Sequence, residues 1–125
     1  MWRFLLVAFL VAHGLVHLVM WVWVPKPDPG KEPSFDASHS WLLGNEKGVA
    51  ATVALATAVI LVVAGIGLWA HADWWRVAAV VGLAVSFGLM ILYFHPWFLF
   101  IEGVNAALFV AIVWLSWPSK SMVGA

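Results

Sequence analysis

The stretch Trp2–Val24, WRFLLVAFLVAHGLVHLVMWVWV, decides how the rest of the chain is read. It is an apolar run of about 23 residues, and a helix needs about 20 to cross the ~30 Å hydrocarbon core of a bilayer. Arg3 is its only charged residue, and His13 and His17 lie inside it. The run has the basic-then-apolar start of a signal peptide. It is too long for one, however, and it ends in Met20-Trp21-Val22-Trp23 with no small-residue cleavage site, so the reading is a retained span. Ionisable side chains are costly in hydrocarbon, which makes the two histidines functional candidates. Their spacing of four puts them on one helix face, ~6 Å apart along the axis.

Composition agrees with this reading. The 125 residues are 65% hydrophobic and 10% charged, with a mean hydropathy of +1.01. A soluble domain carries roughly 25% charged residues. Net charge is zero, so no nucleic-acid partner is indicated. The chain has no cysteine, which excludes disulfides, thiol catalysis and cysteine-held iron–sulfur clusters.

Three more apolar runs follow, at about 49–70, 74–94 and 97–117. Pro25, Pro27, Pro29 and Pro33 stop the first, and the only long polar loop, 25–47, precedes the second. His71-Ala72-Asp73 and His95-Pro96 make short turns, and Pro96 suits the first turn of a fourth helix. The expected fold is all-α: a single integral membrane domain, a four-transmembrane-helix up-down bundle with one long outer loop, the first helix flanked by the second and fourth.

Trp2, Trp69, Trp74, Trp75, Trp114 and Trp117 are expected at one interface, and Trp21, Trp23, Trp41 and Trp97 at or near the other. Arg76 is expected to snorkel to headgroups, and His71 to be an ordinary interfacial residue. Trp41-Leu42-Leu43 forms an apolar patch expected to pack on the outer mouth of the bundle or lie at the interface. Small residues at spacing four, Ala78, Gly82 and Ser86 on the third helix and Gly103, Ala107 and Ala111 on the fourth, suit close helix packing. Lys/Arg counts on the two sides tie. The excess of acids in the long loop favours termini in the cytoplasm and a bacterial inner-membrane, multi-pass arrangement.

In that bundle His17 and Glu102 fall at similar depth, as do His13 and Asn105. The two pairs form a polar cluster in the outer half of the membrane, which His95, Asp36 and His39 could cover. Glu102 is expected within hydrogen-bond reach of His17, directly or through one water or metal.

Three readings follow. The polar groups pin helices together. Alternatively, His13, His17 and Glu102 ligate a transition metal such as Zn, Cu or Fe. Or His13, His17, Glu102, Asn105 and His95 line a site for a small amphipathic molecule such as a quinone or lipid, or a proton or ion path. Haem would need His13 or His17 paired with a histidine on another helix, such as His95. Ser38, Ser40 and Ser86 have no placed base, so nucleophilic catalysis is not supported. Two functional classes remain: a ligand- or metal-binding membrane protein, an accessory of a redox or transport system, and a non-enzymatic structural subunit of a larger membrane complex. In either class the chain contacts lipid and is expected to form a homo-oligomer or join a larger assembly.

The segments Ala12-His13-Gly14-Leu15-Val16-His17, His39-Ser40-Trp41-Leu42-Leu43-Gly44 and Tyr93-Phe94-His95-Pro96-Trp97 resemble small four-helix membrane proteins of actinobacterial type. More loosely, the His-Gly pair of the first helix is similar to that of the DoxX-like group, whose later helical pattern is not evident here. The resemblance implies a four-span topology and no particular activity. The first helix has no glutamate, unlike small multidrug exporters, and the glycine–asparagine patterns of small fluoride channels are missing.

Overall fold

In this computed structural model, residues 1–22, 29–30, 40–44, 46–94, 96 and 98–124 are described. Five helices follow one another: α1 (Trp2–Trp21), α2 (Lys47–Trp69), α3 (Trp75–Leu92), α4 (Phe98–Val113) and the short α5 (Lys120–Val123). α1, α2 and α3 are long and apolar enough to cross a membrane. α4 is apolar but has 16 residues. At 1.5 Å per residue it reaches only ~24 Å. Much of the outer surface is large and apolar: Val77 is 68% exposed and Phe100 81%. A surface of that kind suits hydrocarbon rather than water.

The helices pack in chain order, α1 on α2, α2 on α3 and α3 on α4. Glycines set the closest approaches. A Cβ on Gly14 would lie 3.0 Å from the Ala58 carbonyl oxygen, and one on Gly82 would lie 2.6 Å from Leu61 Cδ2. Gly65 meets Val11 in the same way. The pairings 14 with 58 and 65 with 11 make α1 and α2 antiparallel. Small residues thus bring apolar helices together by packing, the force left to them where hydrocarbon already solvates apolar groups.

One cluster of buried side chains, including Leu6, Leu10, Leu61, Leu68, Trp75, Leu83 and Ile112, fills the end of the bundle that holds the N-terminus. A second, Trp21, Ala50, Ala54, Leu89, Met90, Tyr93 and Phe98, fills the other end.

α2 and α3 lie within a few residues of the expected runs 49–70 and 74–94, and the described parts of α1 and α4 end before the expected 24 and 117. α1 ends at Trp21 rather than Val24, and residues 23–28 lie outside the described set. α4 stops at Val113, not at Trp117. Beyond it the Leu115 and Trp117 amides reach back to the carbonyls of Val110 and Ala111, and Ser116 takes a left-handed φ of 51°. That unwound turn lets α5 fold back under α1, where Val123 is buried with Leu6, Leu68 and Trp75. A Cβ on Gly124 would lie 3.3 Å from His71 Cε1 and 3.7 Å from Arg3 Nη1. Both ends of the chain therefore lie at one end of the bundle.

Two polar residues at that end make hydrogen bonds within the protein. Arg76 does not reach outward for headgroups. Its guanidinium donates to the Trp117 and Pro118 carbonyls, in the turn between α4 and α5. His71 is not a lone interfacial ring, because the Arg3 guanidinium donates to it. Trp75, expected in the interfacial belt, is 2% exposed and belongs to the core. Trp2, Trp69, Trp74 and Trp114 do project outward at this end.

At the far end Ser40 and Gly44 form a small backbone-paired turn. The Trp41 indole N–H donates to the Ile91 carbonyl at 2.7 Å, which ties the turn to the end of α3. Trp41, Leu42 and Leu43 all point outward from it.

Candidate functional site

The spacing of four that joins His13 and His17 extends in both directions. Phe9, His13, His17 and Trp21 form a column of rings along α1, with successive centroids 5.3, 5.2 and 5.7 Å apart. Trp21 in turn meets Phe98, the first residue of α4, at 5.4 Å. At the opposite end Trp2 packs edge-on against Trp117 at 6.1 Å. α4 thus lies beside α1, running the other way, but the contact is made through long side chains at the ends. Between them a crevice of about 210 Å³ is lined by residues that include Phe9, Val104 and Leu108. The fourth helix is backed by α3, and α1 reaches it only by side chains.

His17 is fully buried, and both its ring nitrogens are engaged. Nδ1 lies 2.7 Å from the His13 carbonyl oxygen, one turn back on α1. A carbonyl can only accept, so Nδ1 carries the proton. Nε2 lies 2.9 Å from Ser86 Oγ on α3. Asn105 Nδ2, on α4, donates to the same Ser86 oxygen at 2.9 Å and lies 3.9 Å from Met90 Sδ. Three helices are thereby joined by a polar chain through Asn105, Ser86 and His17. All three side chains are at most 1% exposed.

Around this chain lie groups with no partner. His13 Nε2, Asn105 Oδ1 and both Glu102 carboxyl oxygens are buried and make no hydrogen bond. Asn105 sits within electrostatic reach of both the His13 ring and the Glu102 carboxyl. Buried polar atoms are nearly always paired, so a group of orphans around one amide marks a place where something else binds or where water sits.

A direct hydrogen bond between Glu102 and His17 is not formed. Ser86 holds the His17 nitrogen that Glu102 was expected to approach, and the Glu102 oxygens have no hydrogen-bond partner. The ligand set of His13, His17 and Glu102 is not assembled either. No group of three His, Cys, Asp or Glu residues among the described residues could hold a metal ion. The physical reason is plain at His17, whose two nitrogens are already committed. Of the expected site residues, His13, His17 and Asn105 come together and Glu102 stands beside Asn105. His95, Asp36 and His39 lie outside the described residues.

Ser86 is the residue that sequence reading passed over. Its spacing from Ala78 and Gly82 reads as small-residue packing, yet it is the junction of the chain. The available signal was a hydroxyl at mid-depth of an apolar helix, at the same level as two other mid-depth polar residues. Phe9 and Trp21 were also passed over, although they continue the spacing of four from His13 and His17.

A groove of about 290 Å³ runs between α3 and α4, lined by Leu83, Ala84, Phe87, Asn105, Ala106, Phe109, Val110 and Trp114. Among the described residues of that lining, Asn105 carries the one side-chain amide, and Trp114 is the only other with a polar atom, its indole N–H. No protein-family model, curated protein or solved structure matches this chain.

Proposed function

We propose that this protein is an integral membrane protein that binds a small amphipathic molecule in the groove between α3 and α4. The observation that carries the reading is Asn105, the one amide side chain among the described residues lining an otherwise mostly apolar groove, with its Oδ1 unpaired. Binding sites for such molecules are mostly apolar with a few placed polar groups that set orientation. The buried chain to Ser86 and His17 holds that amide in place. His13 and Glu102 lie near that amide but are not part of the groove lining. The metal reading has no such support among the described residues.

The topology proposed with this function has four crossings. Both chain ends lie at one end of the bundle, so three crossings by α1, α2 and α3 require a fourth by α4. Its ~24 Å is short of a full core and calls for local thinning of the bilayer. The termini are placed in the cytoplasm of a bacterial inner membrane, and the 25–47 loop outside.

The test is chemical analysis of what purifies with the protein. Chains extracted into polymer-bounded lipid discs, wild type and Asn105→Leu, are compared by mass spectrometry of small apolar molecules. Enrichment of one class with the wild type and its loss in the variant are expected. Identical profiles would remove the reading.

A second reading, a structural subunit of a larger membrane complex, is favoured by one feature. Gly103 and Ala107 face outward on α4, and a Cβ on Gly103 would meet nothing within 4 Å. Native mass spectrometry from the same discs, showing the chain alone or with partners, separates the two.

A further inference from the structure

The hydrogen-bond chain behind Asn105 has a direction, and that direction determines which atom of the amide is left for a ligand. It starts at the His13 carbonyl, which can only accept, so His17 Nδ1 must donate to it. A buried imidazolium between two neutral partners would be costly, and the neutral ring fits. Nε2 is then an acceptor, and the single proton of the Ser86 hydroxyl goes to it. The Ser86 oxygen has only lone pairs left for Asn105. It must receive an N–H, as the Asn105 Nδ2 contact provides. The second hydrogen of that nitrogen has Met90 Sδ at 3.9 Å. Both donors of the amide are therefore spent, and the one atom that remains is Oδ1, an acceptor with no partner.

We infer that the groove between α3 and α4 takes the reduced, hydroxyl-bearing form of an aromatic membrane molecule, a phenol or quinol, and discriminates against forms whose head can only accept. The inference rests on the binding reading above and adds the polarity of the ligand. An orphan acceptor is satisfied by an O–H donor. A ketone, quinone or ether oxygen placed there would leave two acceptors facing each other. The ring is indicated by the groove walls, where Phe87, Phe109 and Trp114 offer aromatic faces and Ala84 and Ala106 leave room between them.

The experiment uses two probes with the same apolar body, tritiated 4-decylphenol and 4-decylanisole. Retention by protein-loaded lipid discs is measured over that of empty discs. The phenol is expected to be retained with at least about tenfold higher affinity, the worth of one hydrogen bond plus an avoided unpaired acceptor. In Ser86→Ala the amide is free to rotate and to present its N–H groups, so the ratio should fall towards one while both probes still bind. Equal or better retention of the anisole by the wild type overturns the donor inference and leaves the groove as a binding site. Retention of neither probe overturns both. A ratio unchanged in folded Ser86→Ala, checked by circular dichroism, overturns the claim that the chain sets the polarity. The wild-type comparison stands whether or not that variant folds.

Discussion

A single hydroxyl, that of Ser86, joins α1 to α4 through α3. Ser86→Ala leaves both the His17 Nε2 and an Asn105 N–H without a partner. The cost of orphaning two buried groups is about 2 kcal/mol, above the average of about 0.6 kcal/mol for an interhelical polar contact in a membrane. Unfolding of the purified protein in mixed micelles should show that loss for Ser86→Ala and almost none for Ser121→Ala, whose side chain is exposed. Equal effects would mean that the chain contributes nothing to stability.

Tyr93, just past the end of α3, is a separate case. Its hydroxyl donates to the Glu46 carbonyl at 2.7 Å, tying the start of α2 to the end of α3. Burial, helped by the nearby Glu46 charge, pushes the phenol above its ordinary range. The folded state therefore keeps the proton after the unfolded chain has lost it. The contribution is fully present below about pH 10 and is lost as pH rises through the folded value. Tyr93→Phe should cost about 1 kcal/mol at neutral pH and should flatten the alkaline fall in stability. An unfolding series from neutral to strongly alkaline pH checks both.

At the scale of the helices, closeness is set by glycine, and not every glycine serves it. A Cβ on Gly82 would press to 2.6 and 2.8 Å on Leu61 Cδ2 and Cγ, whereas one on Gly88 meets nothing within 4 Å. Leu61 is fully buried and has little room to retreat. Gly82→Ala should lower stability by about 1–3 kcal/mol through overpacking. Gly88→Ala should be neutral or stabilising, by up to about 1 kcal/mol, because alanine is the better helix former. Thermal midpoints of the two variants in the same lipid discs decide this, and a loss as large at Gly88 would contradict the packing described. The stripe on α4 shows the same point from sequence. Gly103, Ala107 and Ala111 look like a packing motif, yet Gly103 and Ala107 face outward.

For the molecule as a whole, the test is sidedness. The chain ends meet at one end of the bundle, where Gly124 approaches Arg3 and His71. Cysteines introduced at Ser38 and Ser121, in a chain that has none of its own, should react from opposite sides of intact cells with a membrane-impermeant maleimide. Ser38→Cys is expected to be labelled from outside and Ser121→Cys only after permeabilisation. Labelling of both from outside would end the proposed four-crossing topology.

The sequence by itself determined that the chain is helical and apolar enough for a bilayer, because run length against bilayer thickness is a one-dimensional quantity. It also singled out His13, His17 and Asn105, since polar residues inside apolar runs stand out wherever they point. The tertiary structure decided which partners they take. His17 meets Ser86 rather than Glu102 because the rotation of α3 and α4 about their axes is fixed by how Gly82, Leu61 and the buried rings fit together. A helical period says which residues share a face, and it does not say which neighbour that face will meet. The early end of α4 was likewise decided in three dimensions. The run to Trp117 is mostly apolar, but Arg76 and the core site for Val123 draw the chain out of the helix and back beneath α1.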